Sequence, residues 1–286
     1  MVSLQHARVA VIGLGLMGGS LAGALRGQCQ EVVGVGRRAE TLHNALSRGL
    51  VDRSTSDLAS AVRRADIVVM ATPVRAIMHQ VHEIAPLLPE GCVVMDLGST
   101  KARIVSEMSR LPKHVQPLGT HPMCGKEVSG IEAADPTLYH GRTFILTPLS
   151  RTSEAALNLG QALARAVGAR PLVLEPERQD FLVATLSHLP YLLACALVAT
   201  ADAMTSPDPA AWEIVAGGFR DTSRVAGSDV TMMVDILMTN QEHVLKAIAT
   251  FQSQLGRLAH LVEAGDEVAL RADLGAIRQE RLRMFP

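Results

Sequence analysis

The side chains able to do chemistry in this 286-residue chain gather in short blocks. Two of them are Asp96-Leu97-Gly98-Ser99-Thr100-Lys101 and His121-Pro122-Met123-Cys124-Gly125-Lys126-Glu127. Each follows an apolar, β-branched run that reads as a buried strand, Val93 to Asp96 and Val115 to Gly119. Open parallel sheets hold their ligands at the carboxyl ends of strands, so Ser99 and His121 are expected to meet at one site. Ser99 also stands where an N-cap for a helix from Lys101 belongs. Two further blocks, Ser187-His188-Leu189-Pro190 and Gly217 to Arg224 (GGFRDTSR), lie in helical sequence. Arg220 and Arg224 share a helix face, and Asp221 is spaced to hold Arg224. Asp180, two turns before His188, can set the charge pattern of a cleft. An imidazole with its ordinary pKa of about 6.5 can take a proton near neutral pH. A guanidinium can grip a carboxylate with two parallel hydrogen bonds.

A third block supplies the partner for such chemistry. Val9 to Ser20 reads VAVIGLGLMGGS. A short buried strand runs into Gly13, Gly15 and Gly18, and a helix follows from Leu16 and Met17 without spare residues. This G-x-G-x-x-G is read in its strand–turn–helix context, since alone it is weak. Gly13 permits the turn, Gly15 lets a pyrophosphate approach the backbone, and Gly18 lets helix pack on sheet. Free amides and the helix dipole then face the phosphates. A dinucleotide cofactor is expected. At the end of the second strand the residue that holds a ribose 2′-hydroxyl in NAD enzymes is an acid. Here that place reads Gly36-Arg37-Arg38, which suits a 2′-phosphate, so NADP is expected, with NAD kept open by Glu40. Thr72 and Pro73 close the third strand and are expected to lie along the cofactor.

The elements that position these blocks alternate at first. Strands are expected at 31–35, 67–71, 93–96, 115–119, 143–147 and 171–174, with helices at 39–48, 57–64, 101–109 and 153–167 between them; Asp57 is the expected N-cap of the second of these helices. The repeated β-α-β pattern implies a mostly parallel, doubly wound, Rossmann-like sheet over residues 1–175. From 176 to 286 only helical patterns occur, roughly 179–204, 209–226, 230–264 and 266–283. Leu237, Val244, Ile248, Phe251, Leu255, Leu258 and Leu261 form an apolar stripe along the third of these, the expected face of a homodimer. The run Leu189 to Ala201 reads as a buried helix too short to span a bilayer.

Composition excludes several classes. The net charge of −1 and 3% aromatic content give no electrostatic or stacking case for a nucleic-acid or membrane partner. The 48% hydrophobic content supports a full, aliphatic core. Cys29, Cys92, Cys124 and Cys195 are far apart and form no C-x-x-C pair. A disulfide framework or a metal site is not expected, and a cytoplasmic location is. No signal peptide precedes the first strand. Lys101 and Lys126 are expected to be solvated.

Taken together and in order, GLGLMGGS, DLGSTK, HPMCGKE, SHLP and GGFRDTSR strongly resemble the prephenate and arogenate dehydrogenase family of tyrosine biosynthesis. The resemblance runs from about Val9 to Asn240. It implies a nucleotide-binding domain followed by a helical dimerisation domain. It implies oxidative decarboxylation of a cyclohexadienol, with hydride passing to a nicotinamide, the ring carboxylate leaving as CO2 and the ring becoming aromatic. By the same resemblance His121 is the base, and Ser99 bonds the histidine and the substrate hydroxyl and helps fix the nicotinamide. Arg224 binds a substrate carboxylate and His188 touches substrate at the domain cleft. Glu127 or Glu132 can favour the ammonium of arogenate over the keto side chain of prephenate, and both substrates remain open. The double arginine and GFRDTSR look like the compact NADP-using arogenate enzymes, and no room is left for a fused mutase or regulatory domain. Three alternatives stand beside this: a β-hydroxyacid or imine reductase on the same fold, a non-catalytic NADP-binding protein, and a dehydrogenase of an amino-substituted prephenate in secondary metabolism.

Overall fold

A computed structural model describes residues 2–284. Eight strands form one sheet: β1 (Arg8–Ile12), β2 (Glu31–Val35), β3 (Arg53–Thr55), β4 (Ile67–Met70), β5 (Val93–Asp96), β6 (Gln116–Pro122), β7 (Thr143–Pro148) and β8 (Arg170–Val173). Their order is β3-β2-β1-β4-β5-β6-β7-β8, parallel throughout except for the antiparallel pair β6–β7. The central strands β1, β4 and β5 are nearly continuous apolar runs because both faces are covered. Val9 and Val11 enter one core and Ala10 and Ile12 the other, and each core is completed by helices. The helices of this half are α1 (Leu16–Leu25), α2 (Ala39–Ser47), α3 (Leu58–Val62), α4 (Val74–Ile84), α5 (Ala102–Met108) and α6 (Glu154–Ala166). Asp57 caps α3 through the Ser60 amide at 3.1 Å, and Ser153 caps α6. The chain moves from β1 to β2 on one side and returns to β4 on the other. The strand order therefore reverses beside β1, where such sheets open a ligand crevice.

The helical half follows as α7 (Pro176–Val183), a π-turn (Ala184–His188), α8 (Leu189–Thr205), α9 (Gly217–Ser223), α10 (Val230–Thr239), α11 (Gln241–Glu263) and α12 (Glu267–Met284). Several details differ from the sequence reading. Strand β3 lacks the apolar signature because it is a three-residue, partly exposed edge. Helix α4 lies in a stretch to which the sequence reading assigns no element. The expected helix 209–226 forms only from Gly217, after turns at 206–216. The expected helix 230–264 breaks at Asn240, whose backbone (φ −124°, ψ 31°) leaves the helix while its side chain is drawn inward. Helix α8 is not a buried helix in the single chain, where Ala194 is its one buried residue. Nor is the apolar run short. Pro176–Thr205 is one continuous 30-residue helical run, long and apolar enough by composition to cross a membrane, although its Gln179, Asp180 and His188 are buried.

Candidate active site

The glycine turn fits a dinucleotide. Gly13 has φ +99°, open to glycine alone without strain, and a Cβ there would lie 2.8 Å from the Ala71 carbonyl. A Cβ on Gly18 would lie 1.8 Å from the Gly13 carbonyl, so that helix–strand approach admits no side chain. Gly15 is different, because a Cβ there meets nothing within 4 Å. The open space it faces would admit a pyrophosphate, and Gly15 precedes α1 with no side-chain cap competing for the amides. Gly15→Ala is therefore expected to leave the melting temperature within about 2 °C, since the surface change is small. It weakens dinucleotide binding about tenfold or more, one lost charged hydrogen bond; calorimetric titration of the cofactor checks this. Leu16 is buried, and the Met17 carbonyl accepts from the Tyr139 hydroxyl at 2.7 Å. Arg37 and Arg38 are exposed beyond β2. The Thr72 hydroxyl donates to Gln80 Oε1 at 2.6 Å, and its methyl packs toward Gly13. Pro73 precedes α4 and is exposed.

The chemistry-bearing groups meet at the tips of β5 and β6. His121 is the penultimate residue of β6, in its buried stretch, and is 8% exposed. Its Nδ1 lies 3.2 Å from Gln179 Oε1 on α7. Gln179 Nε2 donates to the Ser99 carbonyl at 3.3 Å and to Asp180 Oδ1 at 3.0 Å. Ser99 is half-buried. It does not cap α5. The capping role falls to Asp180, whose carboxylate accepts the amides of Lys101 at 2.7 Å and Ala102 at 2.9 Å. A carboxylate at a helix N-terminus is doubly favoured, by the free amides and by the dipole. Asp180 is 1% exposed and its carboxylate is spent on the α5 amides, so it does not present charge to the surface as expected of it. Burial pushes its carboxyl up, and the two amides act against that.

Lys101 overturns the expectation of a solvated lysine. It is completely buried and ion-paired with Asp96, and its Nζ also donates to the Thr120 carbonyl at 2.6 Å. Asp96 in turn accepts the amides of Gly98 at 2.8 Å and Thr120 at 3.0 Å. One ion pair thus ties the turn leading to Ser99 to the residue preceding His121. Burial pushes the Lys101 ammonium down and the Asp96 carboxyl up; their mutual attraction opposes both shifts. An acid closing the wholly apolar strand VVMD is the sequence signal for this pair, because a buried carboxylate needs a cation nearby.

Two histidines face this cluster. Burial, then the Lys101 charge and His188, lower the His121 pKa to about 3, against the Gln179 hydrogen bond. Burial lowers that of His188 to about 4. His188 closes the π-turn with its Nδ1 3.3 Å from Asn240 Nδ2, and Asn240 also donates to the Asp180 carbonyl at 2.7 Å. The unfolded chain takes up protons on both rings near pH 6.5, while the folded chain resists until about pH 4 and below. Their contribution is fully present above pH 6.5 and is lost as pH falls toward 3. The melting temperature is expected to fall between pH 7 and 4.5, with a shallower slope for His188→Asn. An identical slope contradicts the assignment.

Arg224 follows α9 and is ion-paired with Glu127, six residues beyond His121, and not with Asp221. Both partners are substantially exposed. The pair brings the helical half to the loop after β6. Glu132 lies elsewhere, accepting from Asn44 of α2 at 3.1 Å. The structure thus gathers His121, Ser99, Asp180 and His188 in one network and joins Glu127 to Arg224. It leaves Glu132 against α2. Gln179, Asn240 and the Asp96–Lys101 pair are the residues that sequence reasoning missed; the two amides sit in helical sequence with no local signal.

A Rossmann-like sheet with a glycine phosphate cradle, a polar cluster at its strand tips and a helical second half define a nicotinamide-dependent oxidoreductase. Residues 21–173 match the family described as prephenate dehydrogenase, nucleotide-binding domain, and residues 175–276 match prephenate dehydrogenase, dimerization domain. The chain belongs to the prephenate dehydrogenase family, whose reaction is an oxidative decarboxylation in tyrosine biosynthesis. It is 31% identical over 267 residues to the prephenate dehydrogenase of Lactococcus lactis, covering 92% of this chain and 73% of that protein. It is similar to the crystal structure of prephenate dehydrogenase from A. aeolicus in complex with hydroxyphenyl propionate and NAD+, at TM-score 0.92 and 33% identity over 99% of this chain and 100% of that one. It is also similar to Synechocystis arogenate dehydrogenase, at TM-score 0.84 and 29% identity over 97% and 99%.

Proposed function

We propose that this enzyme oxidises and decarboxylates arogenate, and prephenate as a second substrate, with NADP as its preferred acceptor. The bound nicotinamide supplies the hydride acceptor. His121 takes the proton of the ring hydroxyl at a ring nitrogen, as the hydride leaves the same carbon and the ring carboxylate departs as CO2. Aromatisation drives the loss, so the chain supplies positioning and one base. Ser99, on the neighbouring strand tip, bonds the same hydroxyl, and His188 lines the cleft from the helical side. Arg224 holds a substrate carboxylate in place of Glu127. The observation that carries this reading is a buried imidazole kept neutral at the tip of β6, tied to Ser99 through a single side chain. Glu127 beside Arg224 supports arogenate, since an acid and a cation together complement an amino-acid side chain. Arg37 and Arg38, with no acid at the end of β2, support NADP.

The helical half is proposed to close a homodimer. Of the stripe expected at that face, Val244 is buried and Leu255 alone is exposed; the uncovered apolar residues are instead Leu245, Leu255, Val262, Val268, Leu274 and Ile277 on α11 and α12, each about half or more exposed, a surface that a second copy would cover. Four free cysteines accord with action in the cytoplasm.

The test is NADPH and NADH formation with arogenate and prephenate side by side. Arogenate with NADP is expected to give the highest kcat/KM, and Arg37→Ala with Arg38→Ala to erase about tenfold or more of the NADP preference, the worth of one charged hydrogen bond. Equal or better use of NAD overturns the cofactor assignment, and higher kcat/KM with prephenate overturns the substrate order.

A further inference from the structure

We infer that Gln179 is a positioning residue that fixes the proton of His121 on Nδ1, leaving the Nε2 lone pair as the base; the catalytic part of this rests on the base role proposed above. The orientation of the Gln179 amide is forced by its neighbours. Two of the groups around it can only accept. One is the Ser99 main-chain carbonyl, 3.3 Å away. The other is Asp180 Oδ1, 3.0 Å away, which already accepts the Lys101 amide while Oδ2 accepts that of Ala102. The amide NH2, with its two donors, must face both. Its oxygen is then left toward His121 Nδ1 at 3.2 Å, and an amide oxygen only accepts. Nδ1 must therefore donate.

A neutral imidazole carries one proton, so Nε2 carries none. Gln179 is completely buried, so water offers no alternative partner. The charged and titratable groups around His121 come from several elements: Lys101 with Asp96 beside it from the β5–α5 turn, Asp180 from α7 and His188 from the π-turn. Lys101 and His188 both oppose a second proton on the ring. The chain of bonds then runs from the α5 amides to Asp180, to Gln179, to the imidazole. Asn240 of the helical half holds the Asp180 carbonyl, so the second domain orients a base carried by the sheet. A neutral amide orients the ring here as a carboxylate does behind the histidine of a hydrolase triad, and it brings no negative charge to attract a second proton.

The experiment is a two-bond 1H–15N spectrum of the full-length enzyme carrying 15N-histidine, with the His121 signals assigned by their loss in His121→Asn. The wild-type ring is expected in the Nδ1–H form from pH 6 to 8. In Gln179→Met the ring is expected to shift toward the Nε2–H form. There kcat falls about 10- to 100-fold, a part of the general-base contribution, while KM for the dinucleotide stays within about twofold. Gln179→Glu keeps an oxygen on Nδ1 and adds a negative charge. It is expected to retain Nδ1–H and to move the acid limb of kcat/KM to higher pH. An Nε2–H ring in the wild-type enzyme overturns the inference regardless of how the variants fold, and so does a folded Gln179→Met with wild-type tautomer and kcat. If His121→Asn keeps turnover, the base reading fails while the tautomer assignment stands. If His121→Asn is inactive and the wild-type ring is Nε2–H, only the role of Gln179 fails.

Discussion

His121→Asn is expected to lower kcat about 10²- to 10⁴-fold, the usual contribution of a positioned general base, with a melting temperature close to wild type above pH 7. Asparagine retains a donor toward Gln179 Oε1 while removing the lone pair that receives the proton. The base lets the hydroxyl oxygen push electrons toward the carbon that gives up hydride, and it returns the proton to the phenolate oxygen once CO2 has left; without it, positive charge builds on that oxygen in the transition state. KM for the dinucleotide should change little, because this side chain belongs to β6 and not to the glycine turn between β1 and α1. The pH profile sharpens the test. Burial and Lys101 hold the His121 pKa near 3, so the free enzyme has its base ready far below neutrality. The acid limb of kcat/KM is expected below pH 5 and not at the usual histidine value. An acid limb at 6.5, lost in His121→Asn, would show that the ring is solvated in the free enzyme.

The second large effect concerns stability. Lys101→Met should destabilise the fold by about 3–5 kcal/mol, because it strands the fully buried Asp96 carboxylate without its cation. For a chain of this size that lowers the melting temperature by roughly 10 °C. The Gly98 and Thr120 amides still bond Asp96, so the turn to Ser99 survives in part. The Thr120 carbonyl loses its donor, and His121 is the next residue, so kcat should fall as well. Adding Asp96→Asn to Lys101→Met should recover part of the stability, since no charge is then left unpaired. Thermal and denaturant unfolding of the three variants check this. A loss below about 1 kcal/mol in Lys101→Met, the size expected of a surface pair, would mean that the pair is solvated and contributes little.

Much of this architecture is legible in one dimension because it depends on local constraints. The apolar runs at 9–12, 67–70 and 93–96 are strands because a parallel sheet covered on both faces admits no polar alternation. Gly13 and Gly18 can be read because their backbone positions exclude any Cβ. The end of β5 follows from where its run stops, and Ser99 from that end; β6 instead continues three residues past the expected end at Gly119, to Pro122, so His121 lies within the strand. What escaped reading was the partner of each buried polar group. Lys101 looks like any surface lysine until the fold removes its water. Gln179 and Asn240 sit in helical sequence without a periodic signature, and their importance comes from contacts 58 and 60 residues away. Ser99 and Asp180 were both placed near the site, yet the helix cap belonged to the acid from the other domain. Arg224 found Glu127 across 97 residues instead of Asp221 on its own turn.

The amino-acid order alone thus determined the central strands, the glycine turn between β1 and α1 and the polar blocks beyond the apolar runs, since each follows from neighbours within a few residues and from burial of continuous apolar segments. Tertiary structure alone decided which charges are neutralised, which amide orients the imidazole and which apolar helix faces remain uncovered. Those outcomes depend on desolvation and on hydrogen-bond partners brought together from distant segments, and no local pattern encodes either.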